Sequence, residues 1–259
     1  MVKAPQQQPV IFEWIEETEK IEVPVSIPRR RTYDDRLVAF IDILGVTDLV
    51  QDRDDAEEIL TLMSQIQTYV KNECNVLVAS NKLDYIQIGD GFVIVTGLRQ
   101  INRLCKILSS IQWRTLMDSK MLLRGAITAG RVKGSTAEGF FIGPAIIEAY
   151  KLERDNAIFP RIIYMNEIEN YVSQKLFKFN YITEDQDKIR YIDFIKHNCE
   201  TKKLSKKNLD HLLTSQGVKN ILKTQYEKLA VKNDSENKKT AQKYGWLITQ
   251  FASYGIKVI

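Results

Sequence analysis

Two stretches decide the fold of this chain: Val38-Ala39-Phe40-Ile41-Asp42-Ile43-Leu44-Gly45 and Tyr85-Ile86-Gln87-Ile88-Gly89-Asp90-Gly91-Phe92-Val93-Ile94-Val95. Each is an apolar run that predicts a strand with one aspartate inside it. A carboxylate in such a run is energetically costly unless it is paired or binds a metal ion. Asp42 alone could equally cap a turn or a helix, but two such runs favour a shared site. Because Mg²⁺ often binds one or two carboxylates together with water and substrate phosphates, the runs predict a Mg²⁺–nucleotide site on a sheet.

The composition is that of an ordinary soluble protein with a mildly basic balance. Of 259 residues, 44% are hydrophobic and 27% are charged, and 37 Lys or Arg against 33 Asp or Glu give a net charge of +4. That charge is compatible with a polyphosphate ligand, whereas a nucleic-acid partner would require a concentrated basic stripe. The densest basic run, Arg29-Arg30-Arg31, reads as a solvated linker. We therefore expect no nucleic-acid partner.

The numbers and positions of cysteine and histidine residues indicate which catalytic chemistry and which cellular compartment to expect. The three cysteines form no CxxC pair, which fits a reducing cytoplasm and argues against structural zinc. The only histidines are His197 and His211, which disfavours histidine-based acid–base chemistry. The N-terminus has no apolar signal-peptide core, and no run reaches the length of a membrane span. These features predict a cytoplasmic protein without membrane contact.

The order of the predicted elements gives the fold class. The chain reads as strand, helix, hairpin, helix and strand, followed by one more helix and strand, over residues 37–43, 54–70, 85–88 with 92–96, 101–116, 121–132, 144–154 and 161–165. This βαββαβ order is the ferredoxin-like split arrangement of an α+β fold. In it the end of the first strand lies beside the turn of the hairpin, which brings Asp42 and Asp90 together.

The chain is predicted to divide into three segments. Residues 1–32 read as an irregular extension with one short strand around Ile21 to Ile27, and residues 33–196 hold the α+β domain. Residues 181–195 predict two further strands. The last segment, 197–259, is Lys-rich and helical in pattern from 205 to 253, with a polar turn at 232–239.

Three segments of the α+β domain resemble the catalytic domain of class III nucleotidyl cyclases. Phe40-Ile41-Asp42-Ile43-Leu44-Gly45 and Ile88-Gly89-Asp90-Gly91-Phe92 resemble the two metal-aspartate motifs of that family. Arg124-Gly125-Ala126-Ile127-Thr128-Ala129-Gly130-Arg131-Val132 resembles the strand that carries a triphosphate-contacting arginine. The resemblance implies a cyclase that forms a homodimer, with metal-binding residues from one chain and base-reading residues from the other.

Departures from the purine cyclases point to a narrower group. Ile86 and Phe140 stand where purine cyclases place groups that hydrogen-bond the base, and Ile147 and Lys151 stand where they place an Asn and an Arg. Apolar groups there would leave a buried purine without partners. The pattern, with Gly143 to Glu153 and Phe159-Pro160-Arg161-Ile162, resembles the pyrimidine cyclases of Pycsar anti-phage systems. That group implies cyclisation of UTP or CTP to a messenger that activates a separate effector protein.

The resemblance also implies roles for individual residues. Two Mg²⁺ or Mn²⁺ ions would be held by Asp42, Asp90 and the carbonyl of Ile43, and a helix beginning near Thr47 would direct its first amides at the phosphates. Arg131 is the predicted phosphate clamp, because the guanidinium fork suits phosphate oxygens. Lys151 would take the catalytic role of the missing arginine. Tyr85 and Gln87 are predicted to contact the base, and Arg124 is read as structural.

Other functions remain open at this stage. An adenylate or guanylate cyclase with unusual base contacts is the nearest alternative, and a degenerate cyclase fold that only binds a nucleotide is another. A diguanylate cyclase is disfavoured because Gly89-Asp90-Gly91-Phe92 lacks the paired acidic turn of that family. As the substrate, the sequence weakly favours UTP but does not decide between UTP and CTP.

Overall fold

The computed structural model describes residues 33–259 except 47–49, 51–55, 81, 174 and 232–234, and at positions 76 and 236 the backbone alone. Residues 33–259 form one compact unit. The predicted strand around Ile21 to Ile27 and the predicted helix start near Thr47 lie outside the described residues.

Within the described residues the sheet has eight strands, and seven of them lie in one continuous order. The strands are β1 (Asp34–Leu44), β2 (Leu83–Ile88), β3 (Gly91–Gly97), β4 (Leu122–Ser135), β5 (Phe140–Ile142), β6 (Ile162–Tyr164), β7 (Ile182–Glu184) and β8 (Arg190–Ile192). The spatial order is β2-β3-β1-β4-β6-β8-β7, and β5 pairs with β4 beside this path. Strands β1, β2, β3 and β4 pair antiparallel, whereas β4 and β6 run parallel.

Helices cover both faces of the sheet and extend it at the C-terminus. They are α1 (Ala56–Ala79), α2 (Ile101–Arg114), α3 (Pro144–Asn156), α4 (Phe194–Thr201), α5 (Lys206–Ser215), α6 (Val218–Ala230) and α7 (Ser235–Ser253). The order β1-α1-β2-β3-α2-β4, with β2-β3-β1-β4 in space, confirms the predicted ferredoxin-like α+β fold with a helical extension.

The alternation of side chains along β1 separates two cores. Leu37, Ala39, Ile41 and Ile43 join α1 and α2 in the main core, whereas Val38 and Phe40 face α3 on the other side of the sheet. Successive side chains of a strand point to opposite faces, so Asp42 lies on the α3 face. The predicted metal-binding aspartate of β1 is therefore on the side of the sheet that α3 covers.

Several elements differ from the sequence prediction. Helix α1 continues to Ala79 rather than Val70, because Cys74 and Leu77 carry its buried stripe onward. Strand β5 and helix α4 are additional elements, since three residues and eight residues are too short for a periodic pattern to identify. Helix α4 spans the predicted boundary at 196/197, and His197 and Asn198 contact Ser109 of α2. The two strands predicted within 181–195 are present as β7 and β8.

The C-terminal helices share a second apolar core with the end of α2. Trp113, Leu116 and Met117 pack there with residues of α4 to α7, including Phe194, Leu213, Leu222, Leu247 and Phe251. Among the residues that the structure describes, no helix has both the length and the apolar character needed to cross a bilayer.

Candidate functional site

Strand register places the two predicted metal aspartates at one end of the sheet. Ile41 pairs with Phe92, which sets the turn between β2 and β3 beside the end of β1. Gly91 approaches β1 so closely that a Cβ there would lie 3.0 Å from the carbonyl oxygen of Ile41. Asp42 and Asp90 are both half-buried, and the charge of Asp90 raises the pKa of Asp42. The fold therefore brings the two carboxylates together as the sequence predicted.

Arg124 lies beside Asp42 on the neighbouring strand. The two residues are register partners on β4 and β1, and Nε and Nη2 of Arg124 donate to Oδ2 of Asp42 at 3.2 and 3.1 Å. The same Nε lies 2.6 Å from Oε1 of Glu153, which α3 places against the sheet. The guanidinium thus stands between two carboxylates.

Glu153 is the buried member of this group. Only 3% of its side chain is exposed, against 22% for Arg124 and 20% for Asp42. Its Oε1 makes an ion pair with Arg124, but no hydrogen bond of normal geometry reaches that oxygen. A buried carboxylate oxygen that lacks a full hydrogen bond is energetically costly.

Burial and the repulsion of neighbouring carboxylates raise the pKa of Asp42 and of Glu153. Burial raises the pKa of Asp42 most, Asp90 raises it further, and Arg124 opposes both effects. The pKa of Glu153 rises to about 7, mainly because of burial, with Asp42 and Asp90 adding to the rise and Arg124 opposing it. Asp42 and Glu153 therefore share the charge of Arg124 while the charge of Asp90 acts on both, which leaves the cluster short of positive charge.

The donor set fits a hard divalent cation such as Mg²⁺ or Mn²⁺. Two adjacent carboxylates are the usual protein contribution to a Mg²⁺ site whose other ligands are water and phosphate. In the described part of the chain, no group of three or more His, Cys, Asp or Glu side chains has an arrangement that would hold a metal by itself. Asp42 and Asp90 would therefore supply a partial shell that a nucleotide completes.

Arg131 lies far from this cluster within one chain. Arg124 pairs with Asp42, whereas Arg131 pairs with Asp35 at the opposite end of β1. At about 3.3 Å per residue, the Cα atoms of the two arginines are separated by roughly 23 Å. Arg124, which the sequence analysis read as structural, is the arginine that the fold places beside Asp42.

The Tyr85 ring lies on the opposite side of the sheet from Asp42. It packs against the main core, and burial followed by the charge of Cys74 on α1 raises its pKa. Ile86 faces the α3 side instead, because adjacent side chains of a strand alternate. The structure thus places Ile86, rather than the predicted Tyr85, on the face that carries Asp42.

The remaining predicted residues occupy different positions. The side-chain amide of Gln87 donates to the carbonyl of Gly89 at 3.1 Å and so is engaged within its own hairpin. Ile43 has its side chain in the main core, and its amide donates to Asp42. Lys151 is exposed on the outer side of α3, and Phe140 is 53% exposed on β5.

Two further contacts were not predicted from the sequence: that of Glu153, which lies in the Arg124 cluster, and that of Thr136 with β2, away from the cluster. Glu153 continues the buried stripe of α3 after Ala145 and Ala149, and this four-residue spacing was the signal that it faces the sheet. Thr136, in the turn between β4 and β5, accepts a hydrogen bond from the amide of Tyr85 and donates one to its carbonyl, both at 3.0 Å. No local pattern identifies that contact, because Thr136 reaches β2 across the fold.

Comparison with known proteins gives similarities at the level of structure alone. No family model matches the chain, and no curated protein matches it in sequence. A bacterial light-regulated adenylyl cyclase aligns over 68% of this chain and 98% of its own, with 14% identity and a TM-score of 0.47. The monomeric guanylyl cyclase domain of the RhoGC fusion protein from Blastocladiella emersonii aligns over 61% and 94%, with 17% identity and a TM-score of 0.48. The adenylyl cyclase CyaB from P. aeruginosa aligns over 62% and 92%, with 17% identity and a TM-score of 0.41.

Proposed function

We propose that this protein is a nucleotidyl cyclase that converts UTP or CTP to the 3′,5′-cyclic monophosphate and pyrophosphate. The observation that carries the proposal is the pairing of Asp42 with Asp90 beside Arg124 at one end of the sheet. Carboxylates for cations and an arginine for phosphates are the groups that phosphoryl chemistry requires, since such catalysis is mostly positioning and charge stabilisation.

The reaction joins the ribose 3′-oxygen to the α-phosphorus and breaks the bond from that phosphorus to the bridging oxygen of pyrophosphate. The hydroxyl proton leaves to solvent as the new bond forms. Asp42, Asp90 and the Ile43 carbonyl would hold two Mg²⁺ or Mn²⁺ ions, which lower the pKa of the hydroxyl and neutralise phosphate charge when bound. Arg124 would contact the phosphates with its guanidinium fork and keep the triphosphate against the two carboxylates.

We infer that a second copy of the chain completes the site. Arg131 and Lys151 do not contact Asp42 within one chain, so their predicted roles require a partner chain. Large apolar side chains lie exposed on α3 and on β5, with Ile147 at 58%, Phe140 at 53% and Ile142 at 50% exposure. Exposed apolar surface of this kind favours a protein contact, and a homodimer with two equivalent composite sites would cover it.

The apolar character of Ile86 supports selection of a pyrimidine. It lies on the α3 face, where a purine would bury ring nitrogens and an exocyclic group without partners. Each unmade hydrogen bond costs about 1–3 kcal/mol, and about 1.4 kcal/mol corresponds to a factor of ten. We therefore expect UTP or CTP to exceed ATP and GTP in kcat/KM by at least about a hundredfold. The product would serve as a second messenger for a separate effector in anti-phage defence, as the sequence resemblance implies.

A panel of the four nucleoside triphosphates with Mg²⁺ or Mn²⁺ tests the proposal. Product masses should show a cyclic pyrimidine monophosphate with wild-type protein and none with Asp42→Asn. The exposed variant Asp155→Asn is the matched control and should retain activity. Comparable rates with ATP and UTP would favour a purine cyclase, and nucleotide binding without any cyclic product would favour a fold that only binds its ligand.

A further inference from the structure

Glu153 and Asp42 compete for one guanidinium. Both Nε and Nη2 of Arg124 donate to the same oxygen of Asp42, while Nε also lies 2.6 Å from Glu153. In this arrangement Arg124 occupies a carboxylate oxygen that the proposed function assigns to a cation. The other oxygen of Asp42, Oδ1, is not engaged by Arg124, so one cation could bind there. For Asp42 to bridge two cations with both oxygens, as the proposed function requires, Arg124 must release Oδ2 and take another partner.

Glu153 is placed to remain the partner of Arg124 after that release. It contacts the guanidinium at Nε, the end nearest the side-chain stem, so the two terminal nitrogens can turn while the contact persists. Its backbone is fixed within α3, and its neighbours on the same stripe, Ala145 and Ala149, are fully packed against the sheet. A carboxylate in this buried stripe is costly in comparison with another apolar residue, which indicates that its charge has a use.

We propose that Glu153 is a positioning residue that holds Arg124 at Nε while Asp42 exchanges its ion pair for a divalent cation. The terminal nitrogens of Arg124 are then free for the incoming triphosphate. The inference rests on the proposed function, because it assumes that Asp42 and Asp90 bind the cation. Without Glu153, Arg124 would stay on Oδ2 of Asp42 and prevent the two carboxylate oxygens from bridging two cations.

The test measures Mn²⁺ binding by electron paramagnetic resonance, well above pH 7 so that the Glu153 carboxylate is ionised. Nucleotide is left out, so the result does not depend on turnover. Glu153→Gln keeps the shape of the side chain and removes its charge, and it should weaken Mn²⁺ binding by about tenfold, as is typical for groups that orient metal ligands. Asp155→Asn removes an exposed acid two positions along the same helix and should leave binding unchanged. A double-mutant cycle shows whether Glu153 acts on Mn²⁺ binding through Arg124. If it does, Glu153→Gln should not weaken binding further in an Arg124→Gln background.

The outcomes separate this inference from the proposed function. If wild-type protein binds Mn²⁺ and Glu153→Gln binds it equally well, Glu153 does not position Arg124, and the metal site stands. An equal loss in the Arg124→Gln background would show a general charge effect and would also overturn the inference. If wild-type protein binds no Mn²⁺, both ideas fail. Should Glu153→Gln not fold by circular dichroism, Glu153→Asp keeps the charge but withdraws it from Nε and should weaken binding in the same direction.

Discussion

Two arginines in this chain each bridge a pair of carboxylates, and the two clusters differ in charge balance. Arg124 contacts Asp42 and Glu153, whose pKa values are both raised. Arg161 contacts Asp185 and Asp187, and its own side chain is fully buried. Burial alone would raise the pKa of Asp187, but its hydrogen bonds with Arg161 and the Ile189 amide lower it overall.

The difference distinguishes the proposed site from a structural contact. In the Arg161 cluster, Asp185 also accepts a hydrogen bond at 2.6 Å from the indole N–H of Trp246 on α7, whose ring stacks on Phe159 at 5.8 Å. These contacts join the C-terminal helices to the sheet. The Arg124 cluster instead carries surplus negative charge near the surface, which a divalent cation would neutralise.

The largest expected effect is loss of activity when the Arg124 cluster loses a metal ligand. Asp42→Ala or Asp90→Ala should reduce cyclic nucleotide formation by about a thousandfold or more, since removing a charge-stabilising group costs on that order. The free energy of unfolding should stay equal or rise slightly, because each change removes a repulsive carboxylate. Product mass spectrometry and urea unfolding measure the two quantities. Near wild-type turnover in either variant would remove this site from the reaction.

The proposed homodimer allows a second test of activity, by complementation between two inactive variants. Asp42→Ala and Lys151→Ala should each be inactive alone, and mixing them should restore part of the activity because one site of the mixed dimer is intact. Subunit exchange is followed with differently tagged chains. Exchange without recovery would place both residues in a site formed by one chain.

Breaking the second cluster should affect stability rather than chemistry. Arg161→Gln leaves Asp185 and Asp187 without their buried cation and should lower the free energy of unfolding by about 3 kcal/mol, the low end for a broken buried pair. The low end applies because Asp187 is 38% exposed. Urea unfolding measures the change, and Arg154→Gln, which removes an exposed arginine paired with Asp155, is the control. A folded Arg161→Gln protein of normal stability would contradict the structural role.

The raised pKa of Glu153 predicts the direction of a pH effect. Between its ordinary value of 4.5 and about 7, folded protein keeps a proton on Glu153 that unfolded protein releases. The free energy of unfolding therefore falls as pH rises through this range. The contribution is at most about 3 kcal/mol, since a pKa change of one corresponds to about 1.4 kcal/mol. Glu153→Gln should not show this pH dependence. Urea unfolding at several pH values measures the free energy of unfolding of both proteins, and an equal change with pH in the two would show that Glu153 is not its cause.

The sequence predicted the fold well because its signals there are local. The apolar runs around Asp42 and Asp90, the helix periodicities and the Gly-containing hairpin turn each specify one element, and their order specifies the sheet. The juxtaposition of Asp42 with Asp90 followed from that order. The length of α1 and the existence of β5 and α4 depended on packing that no single segment contains.

Side-chain partners within the site were harder to predict because they depend on register. Arg124 and Arg131 are both arginines on β4, so residue type does not distinguish them. Only the register of β1 with β4 shows that Arg124 lies beside Asp42. Tyr85 and Ile86 likewise differ by one position, and strand alternation sends them to opposite faces. The strand period of two could have made this distinction once the α3 face was known to carry Asp42.

The smallest expected effect concerns the link between α7 and the Arg161 cluster. Trp246→Phe keeps an aromatic ring to stack on Phe159 but removes the indole N–H that donates to Asp185. A hydrogen bond to a charged acceptor contributes about 1.5–3 kcal/mol, and we expect the low end because Arg161 continues to neutralise Asp185. Urea unfolding should show that loss while Mn²⁺ binding at the Arg124 cluster is unchanged. Weaker Mn²⁺ binding in this variant would show that the two arginine clusters are coupled through the fold rather than independent.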